Sequence, residues 1–80
     1  MEIEARREIA AHAAAATNGK TWEPAEPNTR EIIRVYLPNS WGYCEILADG
    51  RVNMDKAKRA AFDAGLRGQL ESAGLTACRV

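Results

Sequence analysis

Tyr43-Cys44-Glu45-Ile46-Leu47-Ala48-Asp49-Gly50-Arg51-Val52-Asn53-Met54 is the stretch whose reading decides the fold. Two short apolar-polar alternations flank Asp49-Gly50, which is the signature of a β-hairpin. The faces fix the loop length. A two-residue Asp49-Gly50 loop would set Glu45 opposite Met54 and Leu47 opposite Val52, mixing a charge into the apolar side. A three-residue Ala48-Asp49-Gly50 loop instead pairs Ile46 with Val52 and Cys44 with Met54, which keeps one face apolar. The second reading is preferred, with Gly50 as the left-handed bulge residue.

Upstream, Arg30 to Leu37 reads Arg-Glu-Ile-Ile-Arg-Val-Tyr-Leu and ends at Pro38. Alternation puts Ile33, Val35 and Leu37 on one face and Arg30, Ile32, Arg34 and Tyr36 on the other, so a strand is expected there. Lys20 to Thr29 carries Trp22, Pro24 and Pro27 and reads as an extended linker, since proline donates no ladder hydrogen bond. Residues 2–16 are nearly all strong helix formers, and Thr17-Asn18-Gly19 supplies the stop, with Asn or Gly in the left-handed position. The apolar face of this helix is thin, built from Ile3, Ile9, Ala10, Ala13 and Ala16.

Downstream, Asp55 is placed as an N-cap for a second helix over residues 55–73. Ala61, Phe62, Gly65, Leu66, Gln69, Leu70 and Ala73 fall along one helical stripe, and Arg59, Asp63, Arg67 and Glu71 make a solvated ladder on the other side. Gly74 fits the stop, with Leu75 as its apolar companion. Thr76 to Val80 adds a short edge strand or lies along the core. The expected architecture is therefore α+β, one domain over residues 1–80. A three-stranded antiparallel sheet over residues 30–54 carries an N-terminal and a C-terminal helix packed on it.

Composition narrows the function. The 80 residues are 46% hydrophobic and 28% charged, with alanine at 15 positions, so the core is small. Eleven basic residues balance eleven acidic ones, which removes the field expected of a DNA-coating protein or an acidic tail. The mixed-charge start Met1-Glu-Ile-Glu-Ala-Arg-Arg-Glu has no secretory apolar run and no window suits a membrane span, so a cytoplasmic protein is expected. Cys44 and Cys78 form no Cys-x-x-Cys motif. Two small core thiols are expected, and a bridge between them would need an oxidising compartment.

Catalytic signals are weak. His12 sits in an alanine-rich helix one turn after Glu8, without a nucleophile beside it. Glu31 and Glu45 could meet across paired strands, yet so short a chain builds no deep cleft around them. The glycines make no phosphate loop. No enzyme activity, metal site, cofactor or small-molecule substrate is expected.

Recognition is the better prospect. With Cys44, Ile46, Val52 and Met54 in the core, the opposite face presents Arg30, Ile32, Arg34, Tyr36, Tyr43, Glu45, Leu47, Arg51 and Asn53, a mixture of the residue types that dominate binding hot spots. Three readings stay open: the N-terminal helix covers this face; it is a protein interface; or Tyr36 and Tyr43 stack bases while Arg30, Arg34 and Arg51 meet phosphates. Neutral net charge weighs against the last. Glu23, Glu26, Glu31, Glu45 and Asp49 fringe the same region and suit a basic groove on a partner.

In its size, its helix-hairpin-helix layout and its lack of motifs, with Tyr43 to Met54 and Asp55 to Leu70 as the clearest elements, the chain resembles the anti-CRISPR inhibitors of phages and mobile elements. The resemblance implies a binder that acts in the cytoplasm of a host bacterium on a protein subunit of a CRISPR surveillance complex and prevents target DNA binding. It implies contacts near Trp41, Glu45 and Asp49 with a lysine- and arginine-rich DNA groove. The balanced charge favours a shaped interface over DNA mimicry. Taken with the sheet face, the expected partner-binding residues are Arg34, Tyr36, Trp41, Tyr43, Glu45, Asp49 and Arg51.

Overall fold

The computed structural model describes residues 1–80. Helix α1 (Ile3–Thr17) leads into strands β1 (Lys20–Trp22), β2 (Arg34–Tyr36), β3 (Tyr43–Ile46) and β4 (Val52–Asn53). Two short helices, α2 (Arg59–Asp63) and α3 (Leu66–Ser72), precede a last strand, β5 (Ala77–Cys78). The α+β architecture holds, but the sheet is five-stranded and mixed rather than three-stranded and antiparallel. Its order is β1-β2-β3-β4-β5, antiparallel except for the parallel β4–β5 pair.

The hairpin register is the expected one. Ile46 pairs with Val52, Leu47 N–H donates to the Arg51 carbonyl at 2.9 Å, and Gly50 has φ +91°. Around it three expectations need correction. The proline-containing linker contains β1, because Lys20-Thr21-Trp22 can pair with β2 before Pro24 ends the ladder. The 30–37 strand is regular only over Arg34–Tyr36, with Ile33 and Leu37 each adding one hydrogen bond on the β3 side, at 3.0 and 2.9 Å. Asn28 explains this: its side chain accepts from Ile32 N–H at 3.1 Å and donates to the Ile32 carbonyl at 3.0 Å, closing a loop in which Glu31 has φ 52°.

The third correction concerns the second helix, which is broken in two. Asp55 caps nothing, Lys58 occupies the N-cap position without a side-chain cap, and Gly65 at φ +94° turns the chain between α2 and α3. A glycine in the expected apolar stripe thus serves as the breaker. The far end is as expected: Gly74 has φ +84°, and Leu75 N–H donates to the Leu70 carbonyl at 3.1 Å. Gly42 is also required by its surroundings. With φ +87° and the Lys56 carbonyl packed against it, it leaves no room for a side chain, so the β2–β3 loop can bridge to Ala57.

All the helices cover one sheet face. Ile33, Val35, Leu37, Cys44, Ile46, Val52 and Met54 from the sheet side meet Ala10 and Ala13 of α1, Ala61 of α2, Leu66 and Leu70 of α3, and Ala77 of β5. The inward stripe of α1 is Arg6, Ala10, Ala13 and Thr17. Alanine lets the helix lie close, and Arg6 supplies the fixing contacts: Nη2 donates to the Ile46 carbonyl at 2.7 Å and Nε to the Leu47 carbonyl at 3.2 Å. No helix is long and apolar enough to cross a membrane.

Two expectations follow. Leu70 is fully buried whereas Phe62 is only half-buried at the core margin. Leu70→Ala should therefore cost about 2–5 kcal/mol, and Phe62→Ala less than the same change at a buried phenylalanine, as read by urea unfolding. The reverse order would mean that α3 is not the core helix. Burial also pushes the Cys44 thiol from 9.0 up to about 12. The folded chain keeps this proton where the unfolded chain releases it, so the contribution is intact below pH 9.0 and is lost as pH rises from there toward about 12. The stability gap between wild type and Cys44→Ala should narrow across that window by up to ~1.4 kcal/mol per pH unit. Parallel pH profiles for the two proteins would contradict it.

Candidate binding face

No helix or strand lies over the sheet face opposite the helices, although Asn53 at its β4 end is buried. Register aligns Lys20 with Tyr36 and Tyr43 in one row, and Trp22 with Arg34, Glu45, Asn53 and Cys78 in the next. The reading in which α1 covers this face is therefore excluded: α1 packs on the other side with α3.

Arg34 organises the face. Its guanidinium carbon lies 4.4 Å from the Tyr43 ring centroid and 5.2 Å from that of Trp22. Nη1 donates to the Tyr36 hydroxyl at 3.2 Å, and Nε is buried without a hydrogen bond, held by charge 3.5 Å from Glu45 Oε2. The hydrogen bond to Tyr36 raises its affinity for its proton still further. Around this cation the rings also touch each other. Trp22 meets Tyr36 edge-on at 6.0 Å and 89°, and Tyr36 meets Tyr43 at 5.4 Å and 48°. Trp22 and Tyr36 remain 40% and 38% exposed, large for aromatics so well tied to their neighbours.

The other expected contact residues divide. Arg51 and Asp49 form a closed pair in the hairpin turn: Asp49 accepts from Arg51 N–H at 3.0 Å and from its Nε at 2.7 Å. These contacts, the backbone one first, hold the Asp49 carboxyl below its ordinary value, and Asp49 in turn raises Arg51. Arg51 flanks Asn53 on the open side, so this pair borders the aromatic cluster. Trp41 does not join it: the residue is half-buried and packs against the core, where its carbonyl accepts from Lys58 N–H at 2.7 Å. The expected set is thus Arg34, Tyr36, Tyr43 and Glu45 in one cluster, Asp49 and Arg51 at its border, and Trp41 on the helix side.

The acidic fringe is dispersed as well. Glu23 is taken up by Arg7 in a two-pronged contact, 2.9 Å for each bond, and accepts from Asn28 at 3.0 Å. The Arg7 hydrogen bond is the first cause holding Glu23 below the usual carboxylate range. Arg7 also contacts Glu4. Glu31 lies 4.0 Å from Arg6, so Glu31 and Glu45 are held by different arginines and form no carboxylate pair. Nowhere do three His, Cys, Asp or Glu side chains gather as metal ligands. His12, exposed on α1, places Nε2 2.7 Å from the Ala73 carbonyl and ties α1 to the end of α3. Cys44 and Cys78 are both free, on opposite faces of the sheet, and Cys78 is half-buried rather than a core thiol.

Sequence reading missed Trp22 and Lys20 as members of the face. The signal was present: a β-branched residue and an aromatic follow the Asn18-Gly19 stop before the first proline. Searches against family models, curated proteins and solved structures gave no match to the chain.

Arg34→Lys keeps a charge but loses the plane that lies against two rings. It should lower the near-UV circular dichroism of the aromatic cluster and cost about 1 kcal/mol in stability. A spectrum superimposable on wild type would show that the rings hold each other without the guanidinium.

Proposed function

We propose that the protein is a non-enzymatic binding protein that inhibits a bacterial CRISPR surveillance complex, docking through its open sheet face and preventing target DNA from binding. The observation that carries the binding reading is the uncovered cluster of Trp22, Arg34, Tyr36 and Tyr43, already locked together before any partner arrives. A pre-ordered surface loses little side-chain entropy on docking, and Trp, Tyr and Arg are the residues in which interface energy concentrates. Glu45 and the Asp49–Arg51 pair add polar groups around that cluster, as a specific interface needs at its margin. The choice of target rests on the resemblance in size and layout.

A second reading has its own support. Tyr36 and Tyr43 are neighbouring rings on adjacent strands with Lys20 in the same row, the arrangement on which single-stranded nucleic acids stack. Against it, two of the nearby cations are matched by Glu45 and Asp49.

The test is a pull-down with tagged protein from a bacterium with an active CRISPR system, followed by gel shift of the captured complex with target DNA. Surveillance-complex subunits with lost DNA binding are expected, and Tyr36→Ala should weaken capture by tenfold or more while far-UV circular dichroism shows the variant still folded. Captured subunits that still bind target DNA fully would overturn the inhibitory reading. Capture of nucleic acid alone, falling steeply as salt rises, would replace it with the second one.

A further inference from the structure

The loop between β1 and β2 closes around a depression of about 270 Å³, with Pro24, Pro27 and Ile32 on its apolar side and Asn28, Thr29 and Arg30 on its polar side. It continues the open face. Ile33 is buried under the helices, so its neighbour Ile32 faces the other way. Pro24 and Ile32 lie two residues beyond the paired Trp22 and Arg34, one on each strand. The walls are held in place. Asn28 bonds Ile32 at both its N–H and its carbonyl, at 3.1 and 3.0 Å, and also donates to Glu23, which Arg7 grips from α1. A cavity that is shaped before docking loses little entropy when it is filled.

The charge around this depression is one-sided. Glu23 is held by Arg7, Glu31 lies beside Arg6, and Glu26 does not line it. On the face itself Arg34 and Arg51 are matched by Glu45 and Asp49. Arg30 is exposed and makes no side-chain hydrogen bond or ion pair, and the Thr29 hydroxyl is equally free. Both amide hydrogens of Asn28 are already spent. Arg30 and Thr29 are therefore the donors left to meet a ligand.

Size and chemistry select the occupant. The volume falls below the roughly 300–1,000 Å³ of sites that enclose small molecules, which suits a single protruding side chain. Apolar walls favour an apolar stem, and an unmatched guanidinium favours a carboxylate at its tip. A lysine or arginine would meet Arg30 as a like charge, and a backbone phosphate would leave the prolines and Ile32 with no apolar partner. We infer that this depression anchors a glutamate side chain of a protein partner. Its two methylenes lie against Pro24, Pro27 and Ile32, and its carboxylate accepts from Arg30 and Thr29. The inference rests on the reading of the open face as a protein-docking surface and adds a charge preference to it, whatever the identity of the partner.

The probe is a capped glutamate, N-acetylglutamate N-methylamide, titrated at neutral pH into the isotope-labelled full chain and followed by NMR of backbone amides and arginine Nε–H groups. The matching glutamine compound is the control. Shifts centred on Asn28 to Ile32 and on Arg30 Nε–H are expected, saturating in the millimolar range, with glutamate bound fivefold or more tighter than glutamine. Arg30→Gln should abolish that preference, and because Arg30 is exposed and unbonded, an unchanged spectrum outside the loop confirms the fold. No shift up to about 50 mM, shifts centred elsewhere, equal binding of the two compounds, or a preference that survives Arg30→Gln each overturns the inference. The docking reading fails on a different result, capture of a partner that is indifferent to Tyr36→Ala. Capture that Tyr36→Ala weakens, beside a probe with no preference, keeps the docking face and removes this anchor.

Discussion

The guanidinium of Arg6 is the contact on which the arrangement of the molecule turns. It is buried on the inward stripe of α1, a helix whose other inward residues are small, and it donates to two consecutive carbonyls, Ile46 and Leu47, where β3 runs into its hairpin loop. Burying a cation is costly unless its donors are met, and here backbone oxygens meet them, with Glu31 at 4.0 Å offsetting the charge. The alanines bring α1 close, but their burial is non-directional and would fit more than one placement. Arg6 makes the placement unique. Arg7 reinforces it from the next position by gripping Glu23 just beyond β1.

Because α1 is fixed on the core side, the opposite face has to be stable without cover. It manages this through its own side chains. Arg34 lies against two rings and bonds to a third, so charge and aromatic surface neutralise and shield one another. Asn53 does similar work farther along the sheet, where its side-chain oxygen accepts from Asp55 N–H at 3.1 Å and Val80 N–H at 3.4 Å. Core and face are thus separate constructions on two sides of one sheet. That separation means that a change at Tyr36 is felt first by the face, and one at Leu70 or Gly42 by the core.

What was legible in the sequence was whatever alternation and turn chemistry dictate locally. The three-residue loop, the left-handed Gly50, the inward set Ile33, Val35 and Leu37, and the outward set Arg34, Tyr36, Tyr43 and Glu45 all follow from period-two patterning. Features that depend on partners distant in the chain were not legible. An arginine flanked by Ala5 and Arg7 gives no sign of burial until the carbonyls it will meet are placed, and Trp41 looks like an exposed loop tryptophan until α2 folds beside it. Gly65 was misread because a helical stripe counts glycine as a small core residue, whereas its positive φ makes it a corner. Strand β1 was missed for the opposite reason: nearby prolines outweighed two residues of good strand propensity, Thr21 and Trp22.

The parallel β4–β5 pair sets the order in which the molecule can be assembled and taken apart. Strands β1 to β4 join through neighbours in the chain, but Val52 finds Ala77 only after α2 and α3 have packed, and a parallel strand needs such a crossover. This is the pairing with the greatest separation along the chain in the sheet. In reverse, β5 rests on a two-residue ladder at the sheet margin, so it is the segment that opens at least cost. Its release uncovers Val52 and Met54, whose amides it accepts from, at 2.8 Å each through Thr76 and Cys78. The amides of Val52 and Met54 thus depend on the last strand for their cover, whereas the β2–β3 pair lies between two further strands and is braced by Arg6 and Arg34 from either side.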